Sequence, residues 1–286
     1  MLTVYIFQLQ GLTLLNLPVR NKFDYYICTQ VMDEEQFLTE WLDYNMNLLG
    51  FKNICIVNVG KPISVNITLK YDLAYKNHLN HDNSTKQNFN LCKKCFTSIQ
   101  SQDLLLVQDI DQFLNIRNSK YLEENYDRYD SFYFADVRFG YVKDKTNEIF
   151  NKESKERFPM LATNTYRGLT KNLDNYNSDE LRQLFNCSPR GGWNPCDTGN
   201  GKTMIKYGLI SRLEPHFHET TKKNSKILDV DMQQMRLNHY YVRSREDGIF
   251  KGKKWEKLES MLGIIENNDF FKMVYDDSIR TSKQLR

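Results

Sequence analysis

The arrangement that most restricts the fold of this sequence is a strand, a helix and a second strand within about 40 residues. Residues 23–31 (FDYYICTQV) are rich in aromatic and β-branched side chains, which is typical of a strand. Acidic residues at 33–35 suit the first turn of a helix, and apolar residues then recur every three or four positions up to Gly50. Residues 51–60 (FKNICIVNVG) predict the next strand. Such a β-α-β unit requires parallel strands joined by a right-handed crossover.

The rest of the chain continues this mixed pattern. Further strands are predicted at 129–142, 204–210 and 237–244, and a helical pattern begins at about residue 245. Because no repeat or linker interrupts the sequence, we expect one α/β domain with a mostly parallel central sheet flanked by helices. Residues 23–255 are assigned to it, with residues 1–22 as an N-terminal arm or edge strand. Residues 256–286 are expected to form a helical extension packed on the same domain.

Composition and charge are those of an ordinary globular protein. Hydrophobic residues make up 40% and charged residues 26% of the chain. The 39 basic and 36 acidic residues are well mixed, and their net charge of +3 provides no basic field for nucleic acid. The apolar residues 1–17 are interrupted by polar side chains and are shorter than a bilayer span. A cytoplasmic or membrane-peripheral location is therefore favoured, while membrane anchoring by the N-terminal segment stays open.

The cysteines give no strong sign of disulfides or of a metal site. Six occur in the chain, at positions 28, 55, 92, 95, 187 and 196. In a chain of this length they do not indicate a disulfide scaffold. Cys28 and Cys55 lie in apolar, strand-like runs, so we expect small buried side chains there. Cys92 and Cys95 form a C-x-x-C pair, which alone is weak evidence for a zinc site.

Two carboxylates follow directly after a short apolar run. The sequence LLLVQDIDQFL (104–114) is typical of a buried strand that ends at Asp109 and Asp111. Ligands of open parallel sheets bind beyond the carboxyl ends of the strands. In an extended segment, residues two apart point to the same side, so Asp109 and Asp111 would converge while Ile110 enters the core. Two such oxygen ligands suit Mg²⁺ or Mn²⁺, although a strand end solvated by two acids has the same pattern.

Several segments together resemble glycosyltransferase family 92 and its family 2-like relatives in order and spacing. They are VMDEEQFLTEWLDYNMNLLGFKNICIVN, LLLVQDIDQFL, GKTMIK, EPHFHE and LNHYYVRSREDGIFKGK, and they span roughly residues 24–255. The resemblance implies a GT-A fold, which is a Rossmann-like single domain. Asn45 stands where the family often has His, and Gln112 stands where Glu is common, so the donor and the acceptor are harder to carry over.

The resemblance also implies a metal-dependent hexosyltransferase. The expected donor is a nucleotide sugar such as a UDP-hexose, the acceptor is a hydroxyl of a glycan or glycoconjugate, and the transfer is expected to invert. Asp109 and Asp111 would bind Mn²⁺ or Mg²⁺, which neutralises the leaving diphosphate. Enzymes of this fold often add a histidine ligand from late in the chain. His216 and His218 are the candidates, and His218 is preferred.

Residues from separate parts of the chain are candidate contacts to the nucleotide. Lys202, in the Gly-rich GNGKT, is suited to meet a phosphate with a point charge. The end of the first strand matches the nucleoside-binding position of the family, and Asn58 ends the second strand. Arg243 is a candidate diphosphate contact. The complete set is Cys28, Thr29, Gln30, Glu34, Asn58, Lys202 and Arg243.

The acceptor is expected near the long loop at 186–203. A base must accept the proton of the acceptor hydroxyl in an inverting reaction. Asp197 is preferred for this role, with His239 and Asp136 as alternatives. The candidate contacts to the acceptor are Arg138, Tyr141 and Trp193.

Two other functions are compatible with the same sequence. A metal-dependent nucleotidyl or phosphoryl transferase requires further converging acids, and the sequence offers no clear third one. A non-catalytic carbohydrate-binding or scaffold module retaining the same fold is the other alternative.

Overall fold

The computed structural model describes residues 22–51, 53–71, 73–77, 91–140, 166–167, 201–216, 218–242, 245–254 and 274–275. The expected N-terminal arm and nearly all of the expected C-terminal extension lie outside these residues. The described helices are α1 (Glu35–Leu42), α2 (Val65–Tyr71), α3 (Tyr121–Asn125) and α4 (Arg245–Lys254). Among the described residues, no helix combines the length and the apolar character needed to cross a membrane.

A seven-stranded central sheet forms one layer of the fold. Its strands are β1 (Tyr25–Val31), β2 (Asn53–Asn58), β3 (Ala74–Asn77), β4 (Leu104–Val107), β6 (Ser131–Phe134), β9 (Lys202–Lys206) and β12 (Ile227–Asp229). They lie in the order β12-β6-β9-β4-β1-β2-β3. Only β9 in this sheet runs antiparallel to its neighbours, β4 and β6. The expected α/β fold with a mostly parallel central sheet is therefore confirmed.

The structure also contains a second large sheet, which the sequence did not predict. Its strands are β5 (Gln112–Ile116), β7 (Asp136–Gly140), β8 (Tyr166–Arg167), β13 (Met235–Val242) and β14 (Val274–Tyr275), in the order β14-β8-β7-β13-β5. β10 (Ile210–Arg212) and β11 (Glu219–Thr220) form a separate antiparallel pair. Two connections join the two large sheets directly, because β4 runs into β5 and β6 runs into β7.

The predicted β-α-β unit is present as β1, α1 and β2. β1 and β2 are parallel neighbours. The helix continues past Leu42 as a π-helical turn over Asp43–Leu48, and Gly50 then adopts a positive φ of 76°, which ends it. Side chains of this helix hold the second sheet in place, since Trp41 Nε1 donates to Gln112 O at 3.0 Å and Tyr44 Oη donates to Leu114 O at 2.9 Å.

Other predicted strands differ in extent from the observed ones. The run at 129–142 is two strands in different sheets, separated at Ala135. The run at 204–210 contains the end of β9 and a short 3₁₀ turn at Tyr207–Leu209. The strand at 237–244 is confirmed as β13, which starts two residues earlier, and α4 confirms the helical pattern from about residue 245.

The four cysteines among the described residues are paired, so the expectation that the cysteines form no disulfide scaffold is wrong for them. Cys28 forms a disulfide with Cys92, and Cys55 forms one with Cys95, with 6.0 Å between the Cα atoms of each pair. Cys28 and Cys55 are buried as expected, but they are also direct neighbours on adjacent parallel strands. A turn in which Cys95 N–H donates to Cys92 O at 3.0 Å presents the other two sulfurs to them. The C-x-x-C motif is thus a bridge to two strands.

Alkylation of denatured but unreduced protein is expected to leave the four paired cysteines unmodified, and reduction beforehand should make all four reactive. Peptide mapping should recover Cys28 linked to Cys92 and Cys55 linked to Cys95. The loops closed are 64 and 40 residues long, so losing either bridge should cost about 4 kcal/mol of unfolding free energy. Free thiols at these positions in the isolated protein would contradict the pairing.

Candidate active site

The order of the central strands changes direction between β1 and β4, and we call the region beyond the carboxyl ends of these two strands the β1–β4 crevice. From β1 the chain proceeds to β2 and β3 on one side, whereas β4 lies on the other side of β1. In open α/β sheets this change of direction marks the place, beyond the carboxyl ends, where ligands bind. Buried oxygen atoms of Thr29, Gln30 and Gln108 lie at these strand ends and have no hydrogen-bond partner among the described residues. A polar ligand would satisfy them.

Asp109 and Asp111 occupy a tight turn rather than the extended segment that we expected. Gln112 N–H donates to Asp109 O at 3.0 Å, which closes a turn between β4 and β5. Two buried amide side chains hold this turn, because Gln108 Nε2 donates to Gln112 O at 2.6 Å and Gln112 Oε1 accepts from Asp109 N–H at 3.2 Å. Ile110 is buried in the core, as predicted.

Asp109 forms an ion pair with Lys202. The Lys202 ammonium lies 2.8 Å from Asp109 Oδ2 and also donates to Pro215 O at 2.9 Å. The lysine side chain is 1% exposed, whereas that of Asp109 is 42% exposed. Lys202 begins strand β9, so its expected position in an open Gly-rich loop is wrong. Its charge nevertheless lies at the mouth of the β1–β4 crevice, next to the carboxylate turn.

Asp111 is held between two cations. Lys251 Nζ lies 2.7 Å from Asp111 Oδ2, and His239 Nε2 lies 3.4 Å from Asp111 Oδ1. Lys251 comes from α4, where Asp247 one turn earlier lies 3.7 Å from the same ammonium. The Asp111 side chain is 13% exposed. Both of its carboxylate oxygens therefore have a positively charged neighbour.

His239 connects Asp111 with a second buried carboxylate. Its Nδ1 lies 2.8 Å from Asp136 Oδ2. Burial alone lowers the pKa of His239, but the carboxylates of Asp136 and Asp111 outweigh this effect and raise it from 6.5 to about 9. The imidazole is therefore protonated at neutral pH and donates from both nitrogens. In this state His239 cannot accept a proton, which disfavours it as the base.

The two late histidines are close in sequence but differ in their contacts. His218 Nδ1 accepts from Glu214 N–H at 3.2 Å, so its Nε2–H donates to Thr203 O at 3.0 Å. Burial lowers the pKa of His218 to about 4. Both of its ring nitrogens are used by the backbone, and this geometry disfavours the preferred ligand. His216 Nδ1 lies 3.3 Å from Gly201 O.

The remaining expected nucleotide contacts have structural partners. Cys28 is buried in its disulfide, which disfavours a direct contact to a ligand. Asn58 organises the loop after β2, since its Oδ1 accepts from Gly60 N–H at 3.2 Å and its Nδ2 donates to Lys61 O at 2.8 Å. Asp33, with a positive φ of 56°, accepts from Lys61 N–H at 2.8 Å. These contacts join the loop after β1 to the loop after β2.

Other predicted residues are placed only in part. Glu34 precedes α1, where its carbonyl accepts from Phe37 N–H at 3.1 Å. Arg138 lies in β7 as the backbone partner of His239 in β13, and its side chain is outside the described part of the structure. Four more expected site residues also lie outside the described residues: Tyr141, Trp193, Asp197 and Arg243.

The carboxylates of Asp109 and Asp111 are chemically suited to a divalent cation, although Lys202 and Lys251 already neutralise part of their charge. Carboxylate oxygens are the ligands that Mg²⁺ and Mn²⁺ prefer, and Asp109 is accessible. Among the described residues, no group of three or more His, Cys, Asp or Glu side chains is arranged to hold a metal ion. A cation at Asp109 and Asp111 would therefore need further ligands from its substrate or from water.

The sequence matches no protein-family model, and no curated protein is significantly similar to it.

Three residues of the site were not anticipated from the sequence. Gln108 was seen only as the residue after a strand, and its role in the turn depends on contacts across four positions. Asp247 and Lys251 carry a detectable signal, because an acid and a base four residues apart share one face of a helix. The sequence does not show that this face meets Asp111, 140 residues earlier.

Stability is expected to depend on pH through two histidines in opposite directions. Because the pKa of His239 is raised from 6.5 to about 9, its contribution is complete below pH 6.5 and is lost as the pH rises to 9, by roughly 3 kcal/mol. His218 has a lowered pKa of about 4, so its contribution is complete above pH 6.5 and is lost as the pH falls towards 4. Urea unfolding across this pH range measures both.

His239→Gln should flatten only the alkaline side of the profile, and His218→Gln only the acidic side, so each variant is the control for the other. An alkaline side that is unchanged in His239→Gln would show that the bridge between Asp111 and Asp136 does not set this histidine's charge.

Proposed function

We propose that the protein is a metal-dependent, inverting hexosyltransferase with a GT-A fold, which uses a UDP-hexose and a hydroxyl of a glycan or glycoconjugate. The observation that carries the proposal is the carboxylate turn at the mouth of the β1–β4 crevice. Asp109 and Asp111 lie there with Lys202 and Lys251 on their oxygens. A crevice of this kind suits a nucleotide, and the charged turn beside it suits a diphosphate.

Convergence of separate segments supports the resemblance on which the proposal draws. The segment LLLVQDIDQFL supplies Asp109 and Asp111, GKTMIK supplies Lys202, and LNHYYVRSREDGIFKGK supplies His239 and Lys251. These segments are far apart in the chain, yet their polar residues are in contact at one place. Such convergence of polar residues is what we expect of a shared binding site.

Polar groups on β1 and after β4 support a nucleoside position in the crevice. Thr29 Oγ1 and Gln30 Oε1, together with Gln108 Oε1, are buried and lack partners among the described residues. A buried hydroxyl or amide oxygen without a partner costs about 1–3 kcal/mol, so these groups favour a bound polar ligand. Hydroxyl and amide groups suit the hydrogen-bonding edges of a base or a ribose.

The charges around the turn suit departure of a nucleoside diphosphate. When bound to Asp109 and Asp111, Mn²⁺ or Mg²⁺ would act as a Lewis acid toward the leaving phosphate oxygens. Lys202, Lys251 and the protonated His239 add positive charge within the same region. In a largely buried site such fixed charges stabilise developing negative charge better than water does.

Proton removal from the acceptor is assigned to a different group. His239 is protonated, and Asp136 is buried behind it at 2.8 Å, so these two are suited to fixing Asp111. Asp197 therefore remains the proposed base, with Arg138, Tyr141 and Trp193 as proposed acceptor contacts and Arg243 as a proposed diphosphate contact.

The two disulfides bear on the environment in which the protein works. The sequence favoured a cytoplasmic or membrane-peripheral location, but two disulfides are more typical of proteins that mature in an oxidising compartment. We therefore propose that the protein works in an oxidising environment.

Titration of UDP with and without Mn²⁺ tests the function. We expect Mn²⁺ to strengthen UDP binding, and Asp111→Asn to weaken binding in Mn²⁺ by at least about tenfold, because one of the two carboxylates is lost. Asp130→Asn is the matched control, since Asp130 is also a partly buried carboxylate paired with a lysine, Lys222, at 2.8 Å, outside this site. Slow Mn²⁺-dependent hydrolysis of a UDP-hexose should accompany binding.

Equal UDP binding with and without Mn²⁺ would contradict metal dependence. Inertness toward every nucleotide sugar, with metal present, would instead favour a non-catalytic binding module.

A further inference from the structure

The two carboxylates of the turn each carry a lysine ammonium at close range. Lys202 Nζ lies 2.8 Å from Asp109 Oδ2, and Lys251 Nζ lies 2.7 Å from Asp111 Oδ2. Both lysine side chains are largely buried, and they come from different elements, β9 and α4. Ion pairs between exposed side chains contribute little to stability, whereas these two lysines are buried. Surface charge alone therefore does not explain why each acid of the turn has a lysine partner.

A divalent cation and these ammonium groups compete for the same oxygens. A metal ion bound to Oδ2 of Asp109 or Asp111 would lie close to the lysine ammonium on the same oxygen, and the two positive charges would repel each other strongly. The other oxygen of Asp111 lies near His239 Nε2. A cation shared by both carboxylates would therefore lie close to at least one of these positive charges and would compete with it.

Each lysine has a second acceptor to which it can move. Lys251 lies 3.7 Å from Asp247 Oδ2 on its own helix, and Lys202 already donates to Pro215 O at 2.9 Å. Displacement from the turn would therefore not leave either ammonium buried without a partner, which would be costly.

We infer that Lys202 and Lys251 are exchangeable counter-ions of the metal-binding carboxylates. They neutralise Asp109 and Asp111 while no divalent cation is bound, and they are released toward the diphosphate when one binds with the nucleotide. This inference rests on the proposed function, since it assumes that the turn binds a metal. It makes the two lysines positioning residues that couple binding of the metal to binding of the nucleotide.

The coupling predicts effects of opposite sign on two ligands. Lys202→Met and Lys251→Met should each raise the affinity for Mn²⁺ alone at least about tenfold, because a competing charge is removed. The same variants should bind UDP more weakly in saturating Mn²⁺, because the displaced ammonium is missing. Free Mn²⁺ measured by electron paramagnetic resonance and UDP binding measured by calorimetry give both values without reference to activity.

Control variants separate this role from a structural one. Lys222→Met removes a lysine that pairs with Asp130 at 2.8 Å outside the site, and it should leave both affinities unchanged. Lys251→Met leaves Asp247 buried without this partner, so Lys251→Met/Asp247→Asn serves as a second variant that keeps the local charge balanced if the single variant does not fold.

Unchanged or weaker Mn²⁺ binding in folded Lys202→Met and Lys251→Met, while the wild type binds both Mn²⁺ and UDP, would overturn the inference and leave the proposed function intact. Absence of Mn²⁺ binding in the wild type and in all variants would overturn both. Mn²⁺ binding in the variants but not in the wild type would support the competition in its strongest form, with the lysines neutralising the turn by themselves.

Discussion

The tight turn between β4 and β5 is the constraint on which the rest of the structure depends. It joins the two sheets, and Gln108, Gln112 and Trp41 fix it through hydrogen bonds to the backbone at Asp109 and Gln112. The backbone of Asp111 extends this anchoring, because its carbonyl accepts from Tyr240 N–H at 2.7 Å in β13. A helix, two sheets and the carboxylate pair are thereby held in one arrangement, and the site is positioned by rigid elements.

Charge balance explains why this arrangement tolerates so many ionised groups. Four carboxylates meet three cations around the turn: Asp109, Asp111, Asp136 and Asp247 with Lys202, Lys251 and His239. Removing such groups from water costs several kcal/mol per ion, which their pairing must offset. Replacing them by apolar side chains would give a more stable core in many proteins, so a network of this density is better explained by binding than by stability.

The sequence predicted what local periodicity determines, and it missed what distant contacts determine. The β1-α1-β2 unit and β13 follow from strand and helix patterns within one segment. The second sheet was missed because a continuous strand-like run, such as that at 129–142, does not reveal that its two halves join different sheets. The cysteine pairing and the ion pair of Lys251 depend on partners 40 or more residues away, and the pairing of Lys202 depends on where β9 enters the sheet.

The most direct test of the account is a crystal structure with UDP and Mn²⁺. We expect Mn²⁺ at about 2.1 Å from oxygens of Asp109 and Asp111, with the diphosphate bound to the metal and the uridine in the β1–β4 crevice. We also expect that at least one of Lys202 and Lys251 has left its carboxylate for the phosphates. Mn²⁺ or UDP bound away from the β4–β5 turn, or both lysines unmoved beside a bound metal, would contradict it.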